Sequence, residues 1–152
     1  EIIFMNEQLR ELYQEVIIDH GRHPRSFGEL SNATHKLDGF NPLCGDKLTL
    51  FMKINGDIIE AIQFNGAGCA ISVASASLMC EALKGKTLNH AKNLFKHFHG
   101  MVAEDKDIDE SLNKLAVLAG VKEYPARVKC ATLAWHTLTA SIEGKDEAVS
   151  TE

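Results

Sequence analysis

Long apolar runs are absent from this sequence, and so is any excess of positive charge. No stretch approaches the roughly 20 consecutive apolar residues that a membrane-spanning helix needs. The 152 residues include 16 Lys and Arg against 21 Asp and Glu, a formal net charge of −5. An acidic chain lacks the basic face that nonspecific binding to phosphates requires. We therefore expect no nucleic acid and no membrane among its partners.

Signals for export and for disulfide bonding are missing as well. The first ten residues contain no apolar core followed by a small-residue cleavage site, so we predict no secretory signal and a cytoplasmic protein. The four cysteines form no Cys-x-x-Cys pair. In a chain of this size without an export signal, such cysteines indicate metal binding or chemistry rather than disulfides.

The length and the distribution of turn residues allow one domain. Two full domains would be cramped in 152 residues. We predict a single domain over residues 5–144, with a candidate leader at residues 1–4 and a flexible polar tail at residues 145–152.

Alternating apolar residues predict a β-hairpin near the middle of the chain. Leu48, Leu50 and Met52 alternate with polar or outward-facing positions, as in a half-buried strand. Asn55-Gly56 follows, which is a strong signal for a type I′ turn. The hairpin is therefore the core of a small antiparallel sheet.

Helical patterns surround this sheet. They predict an amphipathic helix ending near Gly21, a helix over about residues 69–84, a helix capped by Thr87, a short helix stopped at Gly120, and a last helix that begins at Pro125. Strands grouped together and followed by helices are typical of the α+β class. We predict a small antiparallel sheet packed against several helices.

Three cysteines lie at or near the predicted element boundaries. Cys44 is in the turn before the hairpin, Cys69 is in a Gly-rich turn before a helix, and Cys130 is in the first turns of the last helix. A helix N-terminus lowers the pKa of a thiol, which favours the metal-binding thiolate. Asp46 adds a carboxylate, and three thiolates with one carboxylate suit tetrahedral zinc. Spacing alone leaves open that these cysteines are small buried apolar residues.

Cys80 is a useful contrast. It lies eleven residues after Cys69 on nearly the same helical face, but roughly 16 Å further along the axis at about 1.5 Å per residue. Zinc–sulfur bonds are only about 2.3 Å long, so one metal ion cannot bind both sulfurs. We predict that Cys80 is a core or surface thiol.

Three motifs contain these cysteines: Asn41-Pro-Leu-Cys44-Gly-Asp46, Gly66-Ala-Gly-Cys69-Ala-Ile-Ser-Val-Ala-Ser-Ala-Ser, and Pro125-Ala-Arg127-Val-Lys129-Cys130-Ala-Thr-Leu-Ala-Trp. Together they resemble one known family, the NifU N-terminal or IscU-like proteins of iron–sulfur cluster assembly. The resemblance implies an α+β domain in which Cys44, Asp46, Cys69 and Cys130 gather at one exposed end to bind a metal. It also implies that Arg127 lies near that metal as a supporting residue.

Two departures from the IscU pattern resemble the SufU branch of this family. IscU proteins have a histidine where this chain has Lys129, and the segment 101–124 is longer here. The branch implies zinc as cofactor and a SufS-type cysteine desulfurase as partner. It further implies that a desulfurase histidine replaces Cys44 on the zinc, so that Cys44 accepts the persulfide sulfur for downstream iron–sulfur assembly proteins.

Two other functions remain open. One is a scaffold that assembles a [2Fe–2S] cluster, or binds iron, on the same ligands. The other is a purely structural zinc domain, although such domains favour four Cys or His ligands in closed geometry. Lys129 and the longer segment 101–124 favour sulfur transfer, which would make the protein a persulfide sulfurtransferase.

Overall fold

The computed structural model describes residues 7–151, so the candidate leader at 1–4 and the predicted domain start at Met5 lie outside the described residues. In chain order the elements are α1 (Glu7–Arg22), β1 (His35–Asn41), β2 (Asp46–Asn55), β3 (Ile58–Ala67), α2 (Ala70–Leu83), α3 (Leu88–Ala103), a 3₁₀ segment (Glu110–Glu123), α4 (Pro125–Ile142) and β4 (Val149–Ser150). Across the described part of the chain, every helix is too short or too polar to cross a bilayer.

The four strands form one sheet in the order β3-β2-β1-β4. The pairs β1–β2 and β2–β3 are antiparallel. The alternation that predicted β2 places Leu48, Leu50 and Met52 in the core as expected, but Phe51, at an outward position of that pattern, is buried as well. Helices α2 and α4 pack on this sheet. The predicted α+β class, with a small antiparallel sheet against several helices, is confirmed.

The β2–β3 turn differs from the type I′ turn predicted at Asn55-Gly56. Asn55 pairs with Ile58, so the two central residues are Gly56 and Asp57. Gly56 has a φ of 64°, whereas Asp57 has no positive φ. A type I′ turn needs positive φ at both central residues, while glycine at the first of them is typical of type II′. A break in the pairing register after Lys53 accompanies this one-residue shift of the turn.

Helix α2 crosses the centre of the molecule, in contact with α1, β3, α4 and the 3₁₀ segment. Cys80 is fully buried on this helix, and burial raises the pKa of its thiol. Cys80 is therefore a core thiol, in line with the sequence.

On the neighbouring α4, the fully buried Trp135 stacks on Phe98 with ring centroids 4.7 Å apart, and its Nε1–H donates to Ser75 Oγ at 3.2 Å.

Local signals for helix starts correspond well with the structure. Thr87 caps α3 by accepting a hydrogen bond from the His90 N–H at 3.0 Å, and Pro125 occupies the first turn of α4.

The prediction of a short helix that stops at Gly120 is wrong in the extent and the type of the helix. The structure has a 3₁₀ segment that continues to Glu123 and is kinked at Asn113, where φ is 48°. Beyond Gly120 the buried Val121 keeps this segment packed against the core.

The tail also differs from the flexible polar segment that we predicted for residues 145–152. Val149 and Ser150 pair in parallel with Gly39 and Phe40 of β1. The Thr151 N–H donates to the Phe40 carbonyl oxygen at 3.0 Å. The chain terminus thus covers the end of β1, next to the loop that follows Asn41.

Candidate metal centre

The loop between β1 and β2 places Cys44 at one end of the sheet. Asn41 and Asp46 pair across the strands, so the connection consists of residues 42–45. Gly45 has a φ of 73°, a left-handed conformation that glycine adopts without strain. Cys44 is half-buried in this loop, while Asp46 is the first residue of β2 and is only 2% exposed.

Two further segments meet the same end of the sheet. Strand β3 pairs with β2 up to Lys47 and Ala67, which brings the start of α2 beside Asp46. Helix α4 packs on β1 and contributes Cys130 from its second turn, where the residue is fully buried. Three donor atoms all lie within 4.8 Å of one another: the Cys44 sulfur, the Cys130 sulfur and one carboxylate oxygen of Asp46.

Cys69 borders this group without joining it. Its sulfur accepts a hydrogen bond from the Ser72 N–H at 3.4 Å and so caps α2. Its own backbone N–H donates to Asp46 Oδ1 at 2.9 Å. Of the four predicted ligands, the structure therefore gathers Cys44, Asp46 and Cys130 within 4.8 Å. Cys69 is fixed beside them with its sulfur engaged at the helix N-terminus.

Asn41 is a member of the site that the sequence reasoning missed. Its Nδ2 donates to Asp46 Oδ2 at 3.0 Å and to Cys130 Sγ at 3.4 Å. Asn41 is fully buried, on the same inward face of β1 as Leu37 and Gly39. That alternation was the available signal, because an asparagine on an inward-facing strand position needs buried polar partners.

Two glycines let the chain before Cys69 lie against β2. A Cβ on Gly68 would meet Asp46 Oδ1 at 2.5 Å, a separation that real Cβ atoms essentially never show. A Cβ on Gly66 would lie 2.2 Å from the Lys47 carbonyl oxygen, and Gly66 has a φ of 143°. Strand β3 runs to Ala67, and these glycines allow its close approach to β2.

The site concentrates groups that become negative when they ionise. Burial raises the pKa of the Cys130 thiol, and Asp46, Cys44 and Cys69 raise it further. The exposed guanidinium of Arg127, three residues before Cys130, lies near the sulfurs of Cys130, Cys69 and Cys44, and its interaction with these groups raises the pKa of Arg127. Arg127 thus places a positive charge beside the cluster.

The donor set fits a tetrahedral divalent metal. Thiolates are soft donors that suit zinc, and a buried carboxylate can supply the remaining position. The cluster is also tied together by second-layer hydrogen bonds from Asn41 and from the Cys69 N–H, as metal ligands usually are. Among the described residues, no other group of three His, Cys, Asp or Glu side chains lies this close together.

Lys129 lies elsewhere. It is half-buried and lines a cleft of about 690 Å³ together with His99 and His136, between α4 and the segment that leads to β4. Arg127 instead borders a groove that α1 and the 3₁₀ segment help to form. The position at which this chain departs from the IscU pattern is thus next to Cys130 in sequence but lines a separate cleft.

A comparison with protein families matches residues 12–143 to the NifU-like N-terminal domain. This chain belongs to that family. The match begins within α1 and continues through α4, and it includes all four predicted ligands. The family inferred from the three motifs is confirmed.

Relatives of this NifU-like chain have two kinds of name. The zinc-dependent sulfurtransferase SufU of Bacillus subtilis (strain 168) is 44% identical over 139 residues, 90% of this chain and 93% of that protein. The iron–sulfur cluster assembly scaffold protein IscU of Streptococcus pyogenes serotype M1 is 39% identical over 137 residues, 90% of this chain and 86% of that protein.

A solved structure shows the same NifU-like fold. It is a candidate iron–sulfur cluster assembly scaffold protein for the SUF system from Fervidobacterium islandicum AW-1. It superimposes with a TM-score of 0.81 at 36% identity, covering 88% of this chain and 98% of that one.

Proposed function

We propose that this chain is a zinc-dependent sulfur acceptor in iron–sulfur cluster assembly. In this proposal Cys44 receives sulfur from the persulfide of a SufS-type cysteine desulfurase and passes it to downstream assembly proteins. The observation that carries the proposal is the cluster of Cys44, Asp46 and Cys130, all within 4.8 Å, with Cys69 beside it. The similarity to a zinc-dependent sulfurtransferase supports zinc and sulfur transfer.

Zinc would be bound by Cys44, Asp46, Cys69 and Cys130. Three of these donors already face one another, and the backbone of Cys69 is held by its N–H bond to Asp46. The Cys69 sulfur accepts from the Ser72 N–H and also lies beside the Cys130 thiol, so Cys69 would supply the fourth donor. When bound, zinc would keep these thiols deprotonated at neutral pH and would bring no redox chemistry of its own.

Cys44 is the sulfur acceptor in this proposal because it is the least restrained of the three thiols. Cys130 is fully buried in α4, and the Cys69 sulfur caps α2. Cys44 is half-buried in a four-residue connection, between exposed Leu43 and Gly45. Its side chain can leave the cluster without unwinding a helix, while Asp46, Cys69 and Cys130 stay in place.

Sulfur transfer to Cys44 needs no added oxidant or reductant. The Cys44 thiolate attacks the outer sulfur of the desulfurase persulfide. A bond forms between that sulfur and Cys44 Sγ, and the sulfur–sulfur bond of the desulfurase persulfide breaks. The desulfurase cysteine leaves as a thiolate, so one persulfide is exchanged for another. The Arg127 guanidinium at the rim favours a negatively charged persulfide near Cys44.

A scaffold for a [2Fe–2S] cluster is the second candidate function. The donor set is the same, and a relative named as a scaffold is 39% identical to this chain. The two functions differ in what the purified protein contains. A sulfur acceptor should bind about one zinc ion per chain and be colourless, since zinc is d¹⁰. A scaffold should show an iron–sulfur chromophore.

The first experiment is therefore elemental analysis and absorbance of protein purified anaerobically from its own host. We expect zinc at about one ion per chain and no visible absorption. A stable stoichiometric iron–sulfur chromophore without zinc would favour the scaffold function instead.

The second experiment follows the sulfur. The protein is mixed with a cysteine desulfurase, L-cysteine and pyridoxal phosphate without reductant, and trapped peptides are analysed by mass spectrometry. We expect added sulfur on Cys44, and we expect Cys44→Ser to bind the desulfurase without raising its turnover. Cys80→Ala is the matched control, because that thiol is fully buried in the core. Persulfide only on Cys69, Cys130 or Cys80, with full stimulation by Cys44→Ser, would refute the assignment.

A further inference from the structure

Asn41 bridges two of the proposed ligands from the end of β1. Both of its outward contacts come from one amide nitrogen, which donates to Asp46 Oδ2 at 3.0 Å and to Cys130 Sγ at 3.4 Å. An amide NH₂ has two donor hydrogens, so Asn41 can satisfy both contacts at once. Because the Asp46 oxygen and the Cys130 sulfur both accept here, the amide group of Asn41 faces them with its nitrogen rather than its oxygen.

The other end of the same side chain is left without a partner. Asn41 Oδ1 is fully buried, like the rest of the residue, and accepts no hydrogen bond from any described residue. A buried acceptor without a partner is costly, and native proteins contain few of them. Protein stability alone would favour an apolar residue of this size here. The presence of asparagine here therefore indicates that its two amide N–H donors serve the cluster of Cys44, Asp46 and Cys130.

We infer that Asn41 is a positioning residue that holds Asp46 and Cys130 as a fixed pair of metal ligands. This inference rests on the proposed function, because it takes those two side chains as ligands. Asp46 is then restrained at both oxygens, by Asn41 at Oδ2 and by the Cys69 N–H at Oδ1. The N–H bond to Cys130 also stabilises negative charge on that sulfur.

This arrangement divides the site into a restrained half and a free ligand. Neither of the Asn41 N–H bonds goes to Cys44, which lies in the loop just beyond it. Asp46 and Cys130 keep their orientation when the Cys44 sulfur moves away. Asn41 thereby makes Cys44, rather than Cys130, the thiolate that leaves the metal.

The test uses the full chain loaded with Co²⁺, which binds the same tetrahedral sites as zinc and absorbs through thiolate-to-metal charge transfer. Asn41→Leu removes both donors and keeps the branched shape and the number of heavy atoms of the side chain, although leucine is larger. Asn41→Ala removes them without any possible clash, so it remains informative if the leucine variant does not fold. Thr137→Val is the matched control, since it removes a buried hydroxyl from α4 about 10 Å along the helix from Cys130, at about 1.5 Å per residue.

Two readouts are measured: zinc affinity by competition with a chromophoric chelator, and the position of the Co²⁺ charge-transfer band. We expect both Asn41 variants to bind zinc roughly 10–100-fold more weakly. We also expect the band to move to longer wavelength, because loss of an N–H bond raises the energy of the sulfur electrons. A merely structural role would lower the melting temperature but leave the band of the loaded protein unchanged.

The possible failures are distinguishable. Wild-type affinity and an unshifted band in the Asn41 variants would overturn the inference while leaving the metal site intact. An equal loss of affinity in Thr137→Val would also overturn it, since general loosening of α4 would then explain the effect. If the wild-type chain bound no metal, or Cys130→Ala bound it unchanged, the proposed site itself would be refuted.

Discussion

Gly68→Ala is the substitution for which the structure makes the sharpest prediction about the site. A Cβ at this position would lie 2.5 Å from Asp46 Oδ1 and 3.2 Å from the Asp46 Cα. Contacts of a Cβ under 3.0 Å essentially never occur, so these atoms must separate by at least 3.0 minus 2.5, or 0.5 Å. The second contact is to backbone, so rotation of the carboxylate alone would not relieve the crowding.

The consequence for the site can be worked out from the neighbouring hydrogen bond. The Cys69 N–H lies 2.9 Å from the same Oδ1 atom, and a 0.5 Å displacement along that direction lengthens the contact to 3.4 Å. That exceeds the usual N–H···O range, so the bond is largely lost. Overpacking of this kind costs about 1–3 kcal/mol. For a chain of this length the melting temperature should fall by roughly 2–12 °C.

The measurements are thermal unfolding of the metal-free protein and zinc affinity by chelator competition. We expect both to decrease in Gly68→Ala, with zinc affinity lower by roughly 10–100-fold because Asp46 loses its orientation. Gly120→Ala is the matched control: nothing lies within 4 Å of its added Cβ, so its stability should be unchanged or slightly higher. Wild-type stability and zinc affinity in Gly68→Ala would refute the close packing that we assign to Asp46.

Three further predictions concern other buried groups. Cys130→Ala should lower zinc content and melting temperature together, whereas Cys80→Ala, in the core, should cost about 1 kcal/mol and leave zinc content unchanged. Asp46→Ala leaves two donors, the Cys69 N–H and the Asn41 amide, without an acceptor, so denaturant titration should show a loss of about 1–3 kcal/mol per donor. Burial lowers the pKa of His20 from its ordinary 6.5. The unfolded chain therefore binds the proton first, and the stability of the metal-free protein should fall as the pH drops below 6.5, less steeply in His20→Gln.

Elements with a local cause could be predicted from the sequence. Three features depend only on residues that are close together in the sequence: the alternation in β2, the Thr87 cap, and Pro125 in the first turn of α4. The hairpin turn was predicted one residue too early. Its position depends on the pairing register after Lys53, which neighbouring residues do not set.

Elements that depend on distant contacts could not be predicted. Strand β4 has only two residues, and its partners Gly39 and Phe40 lie 110 residues earlier in the chain. No local pattern indicates such a pairing, so the polar tail read as unpaired. Likewise, the kink at Asn113 and the run of the 3₁₀ segment past Gly120 follow from packing against the core rather than from propensity.

The metal centre combines both situations. The motifs predicted the donor side chains, but their arrangement follows from three pairings: Asn41 with Asp46 across a short loop, and, over longer separations, Lys47 with Ala67 and α4 with β1. These pairings restrain the donors unequally. Asp46 begins a paired strand, and the helical thiols are held by a cap or by burial, whereas Cys44 alone lies in a connection between strands. A ligand that must leave and return needs that freedom, which is the physical reason for proposing Cys44 as the sulfur acceptor.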